Sequence, residues 1–281
     1  MSLNAYRHRR ERVLQALGEG VMVIATAPEA VRNRDAHHPY RFDSYFYYLT
    51  GFTEPEAVLV LVGGQQPQQI LFCREKNQER EIWDGFRHGP EAAREAFGFD
   101  VAHAIAELDE QMPRLLENQA ALHFAIGHDS AWDARVVGWL NAVRAKTRSG
   151  VQAPEQLLDA RRLLDEMRLF KDDFELELMR RAADISAAAH IAAMRATRPG
   201  RHEHEIEAEL LYAFRRQGAE APAASVRPEA RRPISPIVKE LTDDERDAGD
   251  EPAGRAADGI ETRRISPSDR VAARSAHRGR A

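Results

Sequence analysis

The sequence predicts an α/β fold, a mixed sheet flanked by helices over residues 1 to 168, and three observations carry that prediction. Helical and strand-like periods alternate along the chain instead of falling into separate blocks. The strand-like pieces are short and rich in β-branched residues: Val21–Ala27, Ala57–Val62 and Gln69–Arg74. The chain has 281 residues, 43% of them hydrophobic, enough to bury a sizeable core.

Taken in order, Asn4–Leu17 forms a helix with Tyr6, Val13, Leu14 and Leu17 on one face. Val21–Ala27 is the first strand. The aromatic run from Tyr40 to Phe52 suits a half-buried strand and turn, since Tyr-Phe-Tyr-Tyr-Leu fits a pleated surface. Ala57–Val62 and Gln69–Arg74 pair as a hairpin through Gly63, Gly64 and Pro67. Helices are expected at Ala92–Phe97, Ile105–Leu116, Ala131–Lys146 and Pro154–Glu166, with a strand at Ala121–Ile126. A further helix starts where Asp172 and Glu175 have capping-box spacing and runs to about Arg195, with Phe174, Leu178, Ile185, Ala189 and Ala192 in one stripe. Thr197–Gly200 breaks it. The next helix ends at Gln217, with Ile206, Leu210, Leu211 and Phe214 facing inward and Gly218 in the C-terminal cap position.

Composition changes near Pro222. All three Trp, six Tyr and eleven Phe precede it, and residues 223–281 are rich in charge and poor in Val, Ile and Leu. Such a segment buries too little surface to offset its ordering entropy, so it is expected to be disordered. Its charges nearly cancel, which disfavours a nucleic-acid arm. The whole-chain charge of −5 exerts no pull on nucleic acid or anionic lipid. No apolar run approaches the roughly 20 residues that span a bilayer, and the N-terminus lacks a signal-peptide core, so a soluble cytoplasmic protein is expected. The one cysteine, Cys73, cannot form an intrachain disulfide or a zinc-thiolate cluster, and within a strand it is an inert buried thiol.

Candidate chemistry is sparse. His202, Glu203 and His204 do not have the spacing that puts two imidazoles one helical turn apart, and a solvated first turn is the better reading. His37 and His38 read as a loop pair. The Tyr40–Phe52 aromatics with Arg32, Arg34 and Arg41 could stack bases, but packing against a sheet explains them more simply. Asp258 and Asp269 are followed by His277, a donor set that suits manganese or zinc, yet no strand holds them and coincidence is preferred.

Several segments resemble aminopeptidase P, the Xaa-Pro aminopeptidase of the pita-bread metallopeptidases. They are Arg32–Asp35, Pro39–Ser44, Phe46–Ala57 (the most specific), Leu71–Arg74, Glu81–Gly85, Glu177–Ala183 and Ala196–Gly200, in the family's order over about residues 3 to 222. The resemblance implies a creatinase-like N-terminal domain at 1–168, the start of a pita-bread α+β catalytic domain at 169–222, and a disordered polar tail at 223–281. It further implies a hydrolase that releases the N-terminal residue of a peptide with proline second. Two manganese ions would activate a bridging hydroxide, in dimers or tetramers assembled through the N-terminal domain. An N-terminal-domain tryptophan of the family reaches a neighbouring subunit's substrate pocket, and the matching position is Trp83; an ordinary packed tryptophan is the equal alternative. The family's five metal ligands and catalytic histidines follow the position of Pro222, where this chain has its polar tail, so no catalytic or metal-binding residue is assigned. Asp258 and Asp269 share the spacing of the family's two aspartates without their context. A truncation or frame shift near codon 222 is the expected cause, leaving a chain inactive alone. The other reading is a non-catalytic oligomerisation module of the same family.

Overall fold

The computed structural model describes residues 3–219. They fall into two compact units that divide between Arg181 and Ala182. The expected tail, with Asp258, Asp269 and His277, lies outside the described residues.

The first unit is built on α1 (Leu3–Leu17), β1 (Gly20–Ala25), β2 (Val31–Asn33), β3 (Ala36–His37), α2 (Ser44–Thr50), β4 (Val58–Val62), β5 (Gln68–Cys73), α3 (Gln78–Asp84), α4 (Gly89–Phe97), β6 (Val101–Ala104), α5 (Leu108–Leu115), β7 (Ala121–Phe124), α6 (Ser130–Arg144), β8 (Gln156–Asp159) and α7 (Ala160–Leu169). Six strands form one mixed sheet in the order β6-β5-β4-β1-β7-β8, and β2 and β3 form a separate ribbon. β4 runs antiparallel to both neighbours, while the β5–β6, β1–β7 and β7–β8 pairs are parallel.

Both faces of the sheet are covered. Met22, Ile24, Leu59, Leu61, Leu71 and Cys73 point to a core shared with α1, α2, α4 and α7, where Val13, Phe46, Leu49, Ala93 and Leu164 are fully buried. The alternate strand residues, Val21, Val23, Val58, Val60 and Phe72, point to a second core with Leu108 and Met112 of α5 and Val136 and Leu140 of α6. Strands buried on both sides become continuous apolar runs, which is why β1 and β4 lack polar alternation.

Two expectations are corrected. The Tyr40–Phe52 run is not a strand: α2 forms inside it, because Asp43 Oδ1 accepts from the Tyr45 and Phe46 amides at 2.8 Å and Gly51 closes the helix at φ 68°. A cap at each end outweighs the strand preference of four aromatics. Pro154–Glu166 is not one helix either. Gln156–Asp159 adds β8 to the sheet edge beside β7, and α7 starts only at Ala160, capped by Asp159. The elements β2, β3, α3 and β6 were not expected.

α8 (Asp173–Ala196) begins in the first unit with the expected capping box, Glu175 N to Asp172 Oδ1 and Asp172 N to Glu175 Oε2. α9 (Glu203–Arg216) follows in the second unit. Gly218, at φ 83°, and the Ala219 amide bonded to the Phe214 carbonyl end α9 as expected. No helix among the described residues is long and apolar enough to cross a membrane.

Candidate functional site: an apolar arm on a polar base

Trp83 sits on α3, a helix that the chain starts locally with Asn77, whose side chain accepts from the Arg80 amide at 3.0 Å, and ends at Gly85, φ 84°. No residue of this helix is buried. Trp83 is 85% exposed, Ile82 78% and Phe86 63%, three large apolar side chains displayed together. An exposed cluster of this kind marks an interaction surface more often than a packing element.

The return of the chain from α3 is tied down by polar contacts. Lys76 Nζ donates to the Arg87 carbonyl at 2.9 Å, pairs with Glu81 at 2.9 Å, and lies over the Phe86 ring. Glu81 accepts in turn from the Arg87 amide, and the hydrogen bond from Lys76 holds its carboxyl below the usual carboxylate range. Arg87 closes on Asp84 at 2.6 Å.

Beneath lies a buried group. Glu54 Oε1 accepts from the His88 amide at 2.8 Å and meets His88 Nδ1 at 2.5 Å. The His88 ring is set between Phe52, Phe86 and Phe97 at centroid distances of 5.8, 4.9 and 5.2 Å. Arg74 comes within 3.7 Å of Glu54 Oε2, both side chains being nearly inaccessible. Sequence reading missed this group; the one signal for it was the place of Glu54 within the Phe46–Ala57 segment.

The other candidates do not converge on the arm. Cys73 is buried in β5, and desolvation pushes its thiol up to about 12, so it offers no thiolate at neutral pH. The rings of His202 and His204 stack at 5.5 Å, because His202 is in extended backbone at the N-cap position of α9, where its amide donates to Glu205 Oε2. His37 is exposed on β3. The aromatics of the Tyr40–Phe52 run are committed to packing: Phe46, Tyr48 and Phe52 are buried, and Phe42 stacks on Tyr47 at 4.3 Å. Among the described residues no group of three or more His, Cys, Asp or Glu is placed to hold a metal ion. The donors among the described residues therefore do not fit a manganese pair, and no step is derived through one.

Comparison with known proteins agrees with this architecture. Residues 6–123 match the aminopeptidase P, N-terminal domain, and residues 177–237 match metallopeptidase family M24. The Xaa-Pro aminopeptidase of Escherichia coli K12 is 38% identical over 226 residues, 79% of this chain and 51% of that protein. The Haemophilus influenzae Xaa-Pro aminopeptidase is 37% identical over 220 residues, 78% and 49%. The solved structure of Pseudomonas aeruginosa aminopeptidase PepP superposes with a TM-score of 0.80 at 38% identity, covering 83% of this chain and 56% of that one. Zinc-substituted E. coli aminopeptidase P in complex with product gives 0.77 at 37% identity, over 80% and 52%. The chain spans about half the length of the curated relatives it matches. Domain matches, identity and fold agree: the chain carries an aminopeptidase P N-terminal domain and part of a metallopeptidase family M24 domain.

Proposed function

We propose that the chain supplies the N-terminal, assembly-forming part of a cytoplasmic, manganese-dependent Xaa-Pro aminopeptidase, whose reaction releases the residue that precedes proline. The 1–168 domain is the assembly module, and Trp83 on α3 forms a wall of the substrate pocket in a neighbouring subunit. In this reading the chain alone has no turnover, because after Pro222 its sequence is charged and free of aromatic residues where the resemblance expects the metal-ligand half. The single observation behind this reading is the display of Ile82 and Trp83 on a short helix, with Phe86 just beyond its end, over a base fixed by Glu54, His88 and Glu81. A helix with no buried residue contributes little to its own domain's core, so rigid support for it fits a contact made elsewhere.

The test mixes the purified chain with the full-length E. coli relative and reads size-exclusion mass together with Xaa-Pro peptide cleavage. A mixed oligomer that Trp83→Ala weakens is expected, with the variant's melting temperature unchanged. A chain that stays monomeric beside the full-length enzyme would refute the assembly role. Manganese titration by calorimetry runs alongside. Absence of binding is expected, whereas two tight sites with turnover would return Asp258, Asp269 and His277 to consideration.

A further inference from the structure

The carboxyl end of β1, the start of β4, the loop after β7 and residues of α6 and α7 enclose a cavity of about 790 Å³, within the range of small-molecule sites. It lies in the first unit, at the sheet edge where open α/β sheets take ligands. Its apolar lining comes from strand residues such as Val23, Ile24 and Val58, together with Ala57, Ile105, Leu164 and the Trp132 ring.

The charges at this cavity are unbalanced. Glu29, Asp43, Glu56 and Asp129 line it against Arg135 and Arg161. Both arginines are already neutralised, Arg135 by Asp109 at 2.7 Å and Arg161 by Asp159 at 2.5 Å, and neither aspartate is part of the lining. The four acids have no such cations. Glu29 and Glu56 make no ion pair or side-chain hydrogen bond among the described residues. Asp43 and Asp129 use only Oδ1, each accepting from two amides of the helix that follows.

An anion is disfavoured here. Two helices of sufficient length, α6 and α7, start at this edge, and helix N-termini ordinarily attract anions. Those amides are taken: Asp129 accepts from Ala131 and Trp132, and Asp159 from Arg161. A bare metal ion is disfavoured as well, because the acids are spread around the cavity and form no ligand group. What remains is negative potential distributed around an apolar and aromatic space. The Trp132 ring, which lines the cavity, already carries the Arg135 guanidinium at 5.5 Å from its centroid, an interaction of the same kind that an organic cation would make.

We propose that this cavity binds a small amphipathic cation, a primary ammonium or guanidinium carried on an apolar or aromatic body. The site is independent of the assembly reading above and needs no metal.

Phenethylamine and phenylacetate share one aromatic body with opposite charge, so they form the probe pair for the full chain. Calorimetry is expected to show saturable binding of phenethylamine and at least tenfold weaker binding of phenylacetate. Glu29→Gln with Glu56→Gln is expected to weaken phenethylamine about tenfold or more. Both positions are exposed, and far-UV circular dichroism verifies that the double variant is folded. Amide NMR shifts at Ala25, Ala57 and Ala125 place the probe in the cavity. Equal binding of the two probes, no saturable amine binding, a double variant that binds like the parent, or shifts confined to other residues would each overturn the proposal.

Discussion

Arg10 shows how far a single residue departs from its local pattern. It stands in a charged stretch of α1 yet is fully buried. Nε donates to Gln69 Oε1 at 2.6 Å, and the terminal nitrogens donate to the carbonyls of Leu49, Phe97 and Gly98, with the guanidinium over the Phe99 ring. One side chain thus pins the ends of α2 and α4 to β5. Burial lowers its pKa to about 10, well above neutrality, so it remains charged. Replacing it by alanine leaves those buried acceptors without donors, and Arg10→Ala is expected to cost about 3 kcal/mol or more in urea unfolding. Asp109 makes a surface counterpart. The Arg135 hydrogen bond, aided by the Trp139 indole N–H, holds its carboxyl below the usual carboxylate range. A depressed carboxylate contributes stability in full above its unfolded value near 3.8, and that contribution disappears as pH falls through the lower folded value. Asp109→Asn therefore lowers stability at pH 6 and flattens the loss between pH 4 and pH 2, which thermal melts across that window would show.

For whole elements, capping decides more than side-chain preference. The aromatic content of Tyr45–Tyr48 favours a strand, and Asp43 and Gly51 make it a helix instead. Gly51 is the sharper requirement. Its φ of 68° is unfavourable for other residues, and a Cβ there would come within 2.5 Å of the Tyr6 ring. The backbone contribution alone is about 1–3 kcal/mol. Gly51→Ala is expected to exceed it, because Tyr6 of α1 has to move; a melting temperature within a degree of the parent would contradict this. α3 is the opposite case, a helix capped by Asn77 and Gly85 that buries nothing. Trp83→Ala is accordingly expected to change chain stability by no more than about 0.5 kcal/mol.

Across the molecule, the sheet core and the arm obey different rules. The two cores on either side of β1, β4 and β5 hold the first unit together, so truncating Phe46 or Leu59 there is costly, about 3–5 kcal/mol for Phe46→Ala. The arm lies outside that scaffold and is free to serve contacts, whereas the cavity is floored by core residues such as Val23, Val58 and Leu164. The second unit offers α9, whose sole buried side chain is Phe214.

Much of this architecture follows from local chemistry and was legible in the sequence. The apolar runs of β1, β4 and β5, the Gly63–Gly64 turn, the capping box at Asp172 and Glu175, and the Gly218 cap each act over a few residues and leave a periodic or turn signature. The family segments were legible for the same reason, as ordered strings. Tertiary structure alone decided the rest. Whether Leu157 and Leu158 extend the sheet depends on β7 being available to pair with them. The burial of Arg10 and the meeting of Glu54, Arg74 and His88 depend on residues tens of positions apart. So does the cavity, whose acids come from four separate loops. Local patterns encode what a segment prefers, whereas the charge and neighbours of a site arise only when distant segments share one sheet edge.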